Sequence, residues 1–287
     1  MAQYPDPLPV EFAEAFERAR SRFGRLGRTV LFFPTIDSTN DVAMAFASSA
    51  AREGAIVIAD AQTAGRGRRG RTWFSPAGAG LYVSVVLEPR RAREPERALA
   101  LLTLAAGVAL SGAVERATGM RPDIKWPNDL VVGPRKLAGI LAEGIVDVPG
   151  ASNDERRLPV RSAAPNVTAV VLGYGINVAP AAYPPELGDR ATSLESELGR
   201  RVDRAALCVE TLASIAERYD DLLAGRFDAI LDAWHARAPA GRGARVRWET
   251  PEGPRTGTTA GVDEMGALLV RVGGRTERLL AGEVTWS

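Results

Sequence analysis

Glycine and arginine alternate in the segment GRGRRGR at residues 65–71. Its first six residues fit the spacing G-x-G-x-x-G, which binds dinucleotides when a strand precedes the glycines and a helix follows them. A strand-like segment does precede them, but Pro76, Gly78 and Gly80 prevent a helix afterwards. The spacing therefore argues against a dinucleotide loop. It favours a mobile loop whose guanidinium groups bind phosphate or carboxylate oxygens, and whose glycines allow close approach to a ligand.

Two plainer interpretations of this segment stay open at the level of the residues. One is a solvated, flexible loop, and the other is a patch for nucleic acid. The second is disfavoured because 36 Lys and Arg side chains balance 35 Asp and Glu, for a net charge of +1. No aromatic residues are interleaved with the arginines either, as a nucleic-acid surface would favour.

The segment KWPNDL at residues 125–130 presents a lysine, a tryptophan, an amide and a carboxylate within one turn. Pro127 ends a strand and fixes the turn. Trp126 can cover an apolar surface, and the Asp129 carboxylate can help to hold magnesium. A tight turn whose Asn or Asp bonds its own backbone is the alternative.

Two further segments place polar groups and glycines at strand ends. Lys136 opens the apolar strand KLAGILAE, where a point charge suits phosphate or carboxylate oxygens, although a solvated strand edge has the same pattern. GYGIN at residues 173–177 ends another apolar strand with two glycines and an amide. That pattern is typical either of close approach by a ligand or of a β-bulge.

These segments together contain no His or Cys nucleophile. The single histidine, His235, lies near a predicted helix end, and the single cysteine, Cys208, has the spacing of a core residue. A site of Arg, Lys, one carboxylate and glycines suits the activation of a carboxylic acid by ATP. The substrate carboxylate is itself the nucleophile on the α-phosphate, so the protein has only to position it and neutralise charge. The residues alone predict an ATP-dependent ligase or a nucleotidyl transferase.

Hydrophobic periodicity predicts the elements that position these segments. The segment 29–50 is expected to form a strand, a turn and a helix capped by Ser38, Thr39 or Asn40. Further helices are expected at residues 10–23, 95–119, 202–225 and 227–237. Further strands are expected at residues 55–60, 81–89, 123–132, 136–146 and 166–178. Helices and strands alternate without strict βαβ repetition, which predicts an α+β fold with a mixed, largely antiparallel sheet.

Two regions differ from this pattern. Residues 147–166 are polar and rich in proline, which predicts a long, mobile loop between paired strands. Residues 239–287 contain short strands with glycine turns, which predicts a small β-barrel. About 45 residues bury only a marginal core, so this barrel should pack on the main domain. The expected domains are residues 1–238 and 239–287.

The composition bounds the class of protein. The 287 residues, 46% hydrophobic and 25% charged, are enough for a large domain and a small one. One cysteine excludes an internal disulfide and fits a reducing compartment. No apolar stretch approaches the ~20 residues that span a bilayer, and the N-terminal residues lack the pattern of a secretory signal. We predict a cytoplasmic protein with no membrane partner.

Four segments occur in the order typical of one family. DSTN (37–40), QTAGRGRRGRTWFSP (62–76), KWPNDL followed by KLAGIL, and GYGINV (173–178) resemble the biotin–protein ligases over residues 30 to 287. Each motif is weak alone, whereas the ordered set is specific. The resemblance implies the α+β fold of biotin and lipoate ligases with a small SH3-like C-terminal barrel. It also implies that biotin and MgATP form biotinyl-5′-AMP, which then biotinylates a lysine on the carrier domain of a carboxylase such as acetyl-CoA carboxylase.

The resemblance also implies a role for individual residues. Those matching positions around biotin are Ser38, Thr39, Asn40, Gln62, Arg66, Gly67, Arg68, Lys136, Gly139 and Gly173. Those matching positions around ATP or the adenylate are Arg66, Arg68, Arg71, Trp73, Asn128, Lys136 and Asn177. Lys136 and Arg68 take the catalytic positions, and Asp129 is the expected magnesium contact. The loop at residues 65–71 is expected to be mobile without ligand and to close over the adenylate, keeping water away.

Some family members also carry an N-terminal helix-turn-helix domain. Only about 30 residues precede the match here, which is short for that fold, so we predict no DNA binding. Three rival functions remain: a lipoate–protein ligase, a protein that sequesters biotin without transferring it, and a nucleic-acid binder.

Overall fold

The computed structural model describes residues 4–49, 53–146, 157–159, 167–181, 183–280, 282 and 284–286. Within these ranges its α-helices are α1 (Val10–Ala19), α2 (Thr39–Ser49), α3 (Pro95–Thr118), α4 (Leu194–Leu198), α5 (Arg204–Leu223) and α6 (Phe227–Arg237). Its strands are β1 (Val30–Ile36), β2 (Ile56–Gln62), β3 (Gly80–Leu87), β4 (Asp123–Lys125), β5 (Asp129–Val132), β6 (Arg135–Val146), β7 (Arg157–Pro159), β8 (Val167–Asn177), β9 (Arg242–Thr250), β10 (Gly253–Val262), β11 (Leu268–Val272), β12 (Arg275–Leu279) and β13 (Val284–Trp286).

The large sheet contains eight of the described strands. Their order is β1-β2-β3-β8-β6-β5-β4, and β7 pairs with β6. Strands β1 and β2 are parallel, whereas the other pairs of this sheet are antiparallel. The prediction of an α+β fold with a mixed, largely antiparallel sheet is confirmed.

The two faces of this sheet differ because side chains alternate along each strand. Val83 and Leu172 point into the main hydrophobic core, where α3 and α5 pack. Their neighbours Ser84 and Gly173 therefore belong to the opposite face. Helix α2 covers part of that second face by packing on β2, β3 and β8, with Met44 at the centre of a smaller apolar cluster. Short and polar residues elsewhere on this face leave room for a ligand.

Helix α3 is the central helix of the core. It begins at Pro95 and ends where Gly119 adopts a left-handed φ of 80°. It has the length and hydropathy of a membrane span, but 83% of its most apolar window is buried inside the fold. The prediction that no apolar stretch approaches this length was wrong. A helix that is apolar on nearly all sides is what a core enclosed by α5, α6 and the sheet requires.

The C-terminal strands form a second sheet in the order β12-β11-β10-β9-β13, with every pair antiparallel. It supplies Val246, Leu268 and Val270 to the main core. The Trp126 indole N–H donates to the Gly266 carbonyl, in the turn between β10 and β11, at 3.0 Å. The small sheet thus packs on the main domain, as its limited core requires.

Two parts of the chain differ from the sequence predictions. Within the predicted loop 147–166, Arg157–Pro159 forms β7 and pairs with Glu143–Ile145 of β6. The rest of that loop lies outside the described residues. The short helix α4 was not predicted; it begins after Ser193, whose hydroxyl accepts the Ser196 N–H.

Candidate active site

Short polar side chains meet where β1 leads into α2. The Thr39 backbone N–H and hydroxyl both donate to Gln62 Oε1, at 2.9 and 3.1 Å. The Ser84 hydroxyl donates to Asn40 Oδ1 at 2.6 Å and lies 2.8 Å from Thr39 Oγ1. We call Ser38, Thr39, Asn40, Gln62 and Ser84 the polar pocket.

Ser38 differs from the other members of the polar pocket. It is 1% exposed, and its hydroxyl has no hydrogen-bond partner among the described residues. Such a group costs about 1–3 kcal/mol when it is left unsatisfied, so this position favours a polar group of a ligand. The expected cap of α2 is also different, because Gln62 from β2 accepts the Thr39 N–H at the helix start.

Four charged residues lie beside the polar pocket. Glu143 Oε2 accepts from Asn40 Nδ2 at 2.7 Å, and Glu143 Oε1 lies 3.8 Å from Arg66 Nη2. Asp41 Oδ1 lies 3.2 Å from Arg66 Nη1 and 2.6 Å from Arg157 Nη2. We call Asp41, Arg66, Glu143 and Arg157 the charged cluster. It connects the polar pocket to the segment GRGRRGR.

Residues 65–71, which we call the Arg loop, form a tight hairpin. The Gly67 N–H donates to the Arg71 carbonyl at 2.7 Å, and the Trp73 N–H donates to the Gly65 carbonyl at 2.8 Å. Arg69 has a φ of 59°, a left-handed conformation that is uncommon for a residue with a side chain. One 3-10 turn, Arg68–Gly70, forms the tip of this hairpin, and Arg66 pairs with Thr72 at its base.

A second set of polar contacts comes from the KWPNDL turn. Lys136 Nζ lies 2.6 Å from Asp129 Oδ1, across the neighbouring strands β6 and β5. Arg68 Nη1 donates to Asn128 Oδ1 at 3.0 Å, and Asn128 Nδ2 donates to the Ile140 carbonyl at 2.7 Å. Two consecutive residues of the turn thus hold the central lysine and one arginine of the Arg loop.

Trp73 lies over two glycines of the sheet. A Cβ at Gly175 would come within 2.3 Å of Trp73 Nε1, and one at Gly139 within 3.0 Å of Trp73 Cζ3. Lys136 Nζ lies 5.3 Å from the centroid of the Trp73 ring. The indole N–H is buried against Gly175 and has no hydrogen-bond partner among the described residues.

Gly173 leaves room for Asn40 at the polar pocket, as Gly139 and Gly175 do for Trp73. A Cβ there would lie 1.9 Å from Asn40 Oδ1, closer than any contact allows. Asn40 is held from both ends by Ser84 and Glu143, so it has little freedom to withdraw. A glycine at this position is required for the observed pocket.

A cleft of about 330 Å³ lies beside the Arg loop, within the range of small-molecule sites. Its walls are the Arg loop, the first half of α3, the middle of β6 and the turn between β10 and β11. Arg66, Gly67 and Arg68 line one side, and Leu104 and Met265 line another. The cleft is basic towards the loop and apolar towards the C-terminal sheet.

Two further predicted site residues are Arg71 and Asn177. The Arg71 side chain is exposed. Asn177 is buried and its amide donates to the Thr192 carbonyl at 2.9 Å. The Thr192 N–H donates to the Lys136 carbonyl at 3.0 Å, so Asn177 supports the backbone near the lysine.

No group of three or more His, Cys, Asp or Glu side chains that could hold a metal ion occurs in the described part of the chain. Magnesium that arrives with nucleotide phosphates needs only one or two protein carboxylates. Asp129, beside Lys136 and 23% exposed, fits that requirement.

Comparisons with known proteins assign the family. Residues 32–150 match the model of the biotin/lipoate A/B protein ligase family. The chain is 33% identical to the bifunctional ligase/repressor BirA of Bacillus subtilis over 278 residues, which are 96% of this chain and 79% of the relative. The chain belongs to this ligase family.

Two further relatives place the ligase among those named for biotin. It is 36% identical over 252 residues to biotin–[acetyl-CoA-carboxylase] ligase of Mycobacterium tuberculosis, covering 86% of this chain and 85% of that one. Its fold matches biotin protein ligase from Aquifex aeolicus in complex with biotin and ATP, with a TM-score of 0.72 and 27% identity over 91% of this chain and 99% of that one. The resemblance inferred from the ordered motifs is confirmed.

Sequence reasoning did not assign five residues of the ligase's candidate site: Asp41, Ser84, Glu143, Arg157 and Gly175. For two of them a signal was present. Ser84 is the polar residue in the otherwise apolar strand β3, and Gly175 shares a sheet face with Gly173 because they are two positions apart. Arg157 carried no such signal, because its surroundings have no periodicity.

Proposed function

We propose that the site formed by the polar pocket, the Arg loop and the KWPNDL turn joins biotin to ATP, forming biotinyl-5′-AMP and pyrophosphate, and that the biotinyl group then passes to a lysine of a carboxylase carrier domain. The chain is an ATP-dependent, AMP-forming biotin ligase. The observation that carries the assignment of its site is the arrangement on one sheet face. Glycines lie between the buried polar pocket and the side chains of Lys136 and Arg68, and Trp73 lies over Gly139 and Gly175 beside Lys136.

The polar pocket suits the ureido ring of biotin, which offers two N–H donors and a carbonyl acceptor. The Ser38 hydroxyl, which has no partner among the described residues, supplies one buried polar group for it. Thr39, Asn40 and Gln62 supply the fixed hydroxyl and amide groups around it. Gly139 and Gly173 leave a slot for the ring and the aliphatic chain. The acid end then points towards Lys136 and Arg68.

Lys136 and Arg68 are proposed to handle the charge that changes during the first reaction. A biotin carboxylate oxygen forms a bond to the α-phosphorus, and the bond from that phosphorus to the bridging oxygen breaks to release pyrophosphate. Both cations stabilise the charge on the non-bridging oxygens. Trp73, Asn128 and Asn177 are proposed to lie on the nucleotide side, with Arg71 at its exposed end. Asp129 is the carboxylate offered to the magnesium that accompanies ATP.

The second reaction needs a dry acyl-adenylate and access for an amine. The acceptor amine attacks the biotinyl carbonyl, AMP leaves with the bonding electron pair, and the amine loses a proton. The Arg loop covers the intermediate until then, since a mixed anhydride exposed to water hydrolyses.

The acceptor is proposed to be a biotin carboxyl carrier domain. Relatives from Mycobacterium tuberculosis and Paracoccus denitrificans, 36% and 34% identical, are named biotin–[acetyl-CoA-carboxylase] ligase, which supports this class of partner. The compartment that holds such a carrier together with ATP is the cytoplasm. Neither nucleic acid nor a membrane enters the proposal, and the net charge of +1 gives no general attraction to polyanions.

Pyrophosphate release by the purified protein tests the proposal. MgATP is supplied with biotin, with lipoate or with no acid, and biotinyl-AMP bound to the protein is sought by mass spectrometry. We expect release with biotin only and an adenylate that stays bound. Release with lipoate would transfer the function to the lipoate ligases. Bound biotin without any release would indicate a sequestering protein.

A further inference from the structure

Strand β7 places a buried arginine beneath the polar pocket. The Arg157 side chain is 9% exposed, although its strand belongs to a segment with the composition of a loop. Arg157 Nη2 lies 2.6 Å from Asp41 Oδ1 on α2, and Nε lies 3.6 Å from Glu143 Oε1 on β6. One guanidinium group thus connects α2 to the large sheet at the edge of the site.

Glu143 depends on nearby cations. It is 7% exposed, and a carboxylate that is removed from water is stable only when charges or hydrogen bonds compensate it. Its Oε1 lies near Arg66 and Arg157, at 3.8 and 3.6 Å. Its Oε2 accepts from Asn40 Nδ2 at 2.7 Å. Displacement of Glu143 would therefore free Asn40 Nδ2, so that the amide is fixed only at its oxygen by Ser84 among these contacts.

The two arginines beside Glu143 lie in different kinds of segment, one in a loop and one in a strand. Arg66 is 39% exposed and belongs to the Arg loop. The proposed function requires this loop to open for substrates and products. Arg157 is buried and belongs to a strand paired with the sheet. When the loop opens, Arg66 leaves with it and Arg157 stays.

We propose that Arg157 is a positioning residue for ligation, which holds Glu143 and Asp41 in place while the Arg loop is open. Asn40 then keeps its orientation towards the biotin head group before the loop has closed. The inference rests on the proposed function, because it takes Asn40 as a contact of biotin. It gives part of the segment 147–166 a function, since Arg157 is held there by the pairing of β7 with β6.

Replacing Arg157 should affect the binding of biotin more than the chemical step. In Arg157→Met, opening of the loop leaves a nearly buried Glu143 without its fixed cation, so the carboxylate turns towards water and Asn40 is released. We expect the KM for biotin to rise about tenfold and kcat to stay within about twofold of the wild type. This rise in KM is smaller than the full free-energy cost of removing one partner of a buried ion pair would give. Arg157→Lys keeps the charge but loses the planar fork, and should give an intermediate KM.

Rescue distinguishes positioning from general support. Glu143→Gln removes the charge that needs compensation and keeps an oxygen that accepts from Asn40. We expect Arg157→Met combined with Glu143→Gln to return the KM for biotin to within about threefold of the wild type, because no uncompensated carboxylate remains. If Arg157→Met does not fold, Arg157→Lys is compared with and without Glu143→Gln instead. Arg237→Met is the control: Arg237 forms an ion pair of 2.7 Å with Glu115 between α6 and α3.

Initial rates of pyrophosphate release give the KM for biotin and the kcat of each variant, and these values test the role of Arg157. A KM for biotin that is unchanged in Arg157→Met, that rises equally in Arg237→Met, or that worsens when Glu143→Gln is added overturns the inference. If the wild type itself releases no pyrophosphate with biotin, the proposed function fails instead, which keeps the two failures apart.

Discussion

At the scale of single residues, Gly173 sets the shape of the polar pocket. A methyl group at this position would lie 1.9 Å from Asn40 Oδ1, and Asn40 is held by Ser84 and Glu143. We expect Gly173→Ala to raise the Kd for biotin by about 10- to 100-fold, since overpacking costs about 1–3 kcal/mol. Isothermal titration with biotin measures this.

Gly188→Ala is the matched control for that substitution. A Cβ there meets no atom within 4 Å, so biotin affinity should be unchanged. Gly175→Ala should have a smaller effect than Gly173→Ala, because the atom it meets belongs to the Trp73 indole, whose side chain can rotate away. Equal affinities for the Gly173 variant and the wild type would contradict the assignment of the pocket.

Lys136 carries the largest expected effect on chemistry. Its Nζ is paired with Asp129, and its side chain is 37% exposed, so a substrate can approach it. We expect Lys136→Ala to lower kcat for adenylate formation by about 10²- to 10³-fold, the usual effect of removing one group that stabilises transition-state charge. The KM for biotin should change much less. Single-turnover formation of biotinyl-AMP measures the chemical step.

Arg135→Ala is the control for Lys136→Ala. Arg135 precedes Lys136 on the same strand, but its guanidinium pairs with Glu197 at 2.7 Å, whereas Lys136 pairs with Asp129. Its kcat should match that of the wild type. A loss in Arg135→Ala as large as that in Lys136→Ala would point to damage of the strand.

At the scale of the elements, the Arg loop has no apolar side chain and lies mostly at the surface. Its arginines bond Asn128 at 3.0 Å and Asp41 at 3.2 Å through side chains that are partly exposed. Local opening is easy where buried apolar contacts are few. We expect trypsin to cleave the free protein first within residues 65–71 and to do so at least about tenfold more slowly with biotin and ATP.

Intact-protein mass spectrometry over time measures this cleavage. ATP without biotin should protect the loop less, because the polar pocket stays empty and no adenylate forms. First cleavage at other arginines, or equal rates with and without ligands, would contradict a loop that closes over the adenylate.

The same scale shows which features the sequence predicts. Helices α1, α5 and α6 and most strands of the large sheet follow from periodicity, because each buries one regular face or stripe, whereas α3 follows from its long apolar run between Pro95 and Gly119. The ordered motifs indicated Lys136, Asp129 and Arg68 as a group. Of the charged cluster, Arg66 was predicted as a site residue, whereas Asp41, Glu143 and Arg157 were not, because only tertiary packing brings their separate segments together. Strand β7 escaped because three residues are too few to show a period.

At the scale of the whole molecule, the single histidine reports on the contact between α6 and the C-terminal sheet. A Cβ at Gly261 would lie 3.1 Å from His235 Cε1, so the imidazole faces β10. Burial, and then the charge of Arg242, lower the pKa of His235 below its ordinary value of 6.5. The folded state then binds a proton less readily than the unfolded state. The stability contribution is complete above pH 6.5 and decreases as the pH falls below it.

Urea unfolding at pH 7.5 and at pH 5.5 tests this dependence. The wild type should lose stability between the two, and His235→Gln should lose less, because it has no proton to gain. The imidazole resonance of the one histidine gives the pKa directly by NMR. A pKa at or above 6.5 in the folded protein would contradict the expected direction.

The hydrogen bond between Trp126 and Gly266 connects the C-terminal sheet to the KWPNDL turn, which carries residues of the candidate site. Trp126 is buried and donates to the Gly266 carbonyl at 3.0 Å, while Asn128 and Asp129, two and three residues further on, hold Arg68 and Lys136. We expect Trp126→Phe to destabilise the fold by about 1–3 kcal/mol, since it leaves a buried carbonyl without its donor. Because the KWPNDL turn is then less firmly held, kcat for adenylate formation should fall several-fold.

Trp286→Phe is the control, since its indole N–H has no partner among the described residues. Thermal unfolding and pyrophosphate release separate the two effects. A loss of stability without any change in kcat would show that the C-terminal sheet supports the fold and does not position the active site.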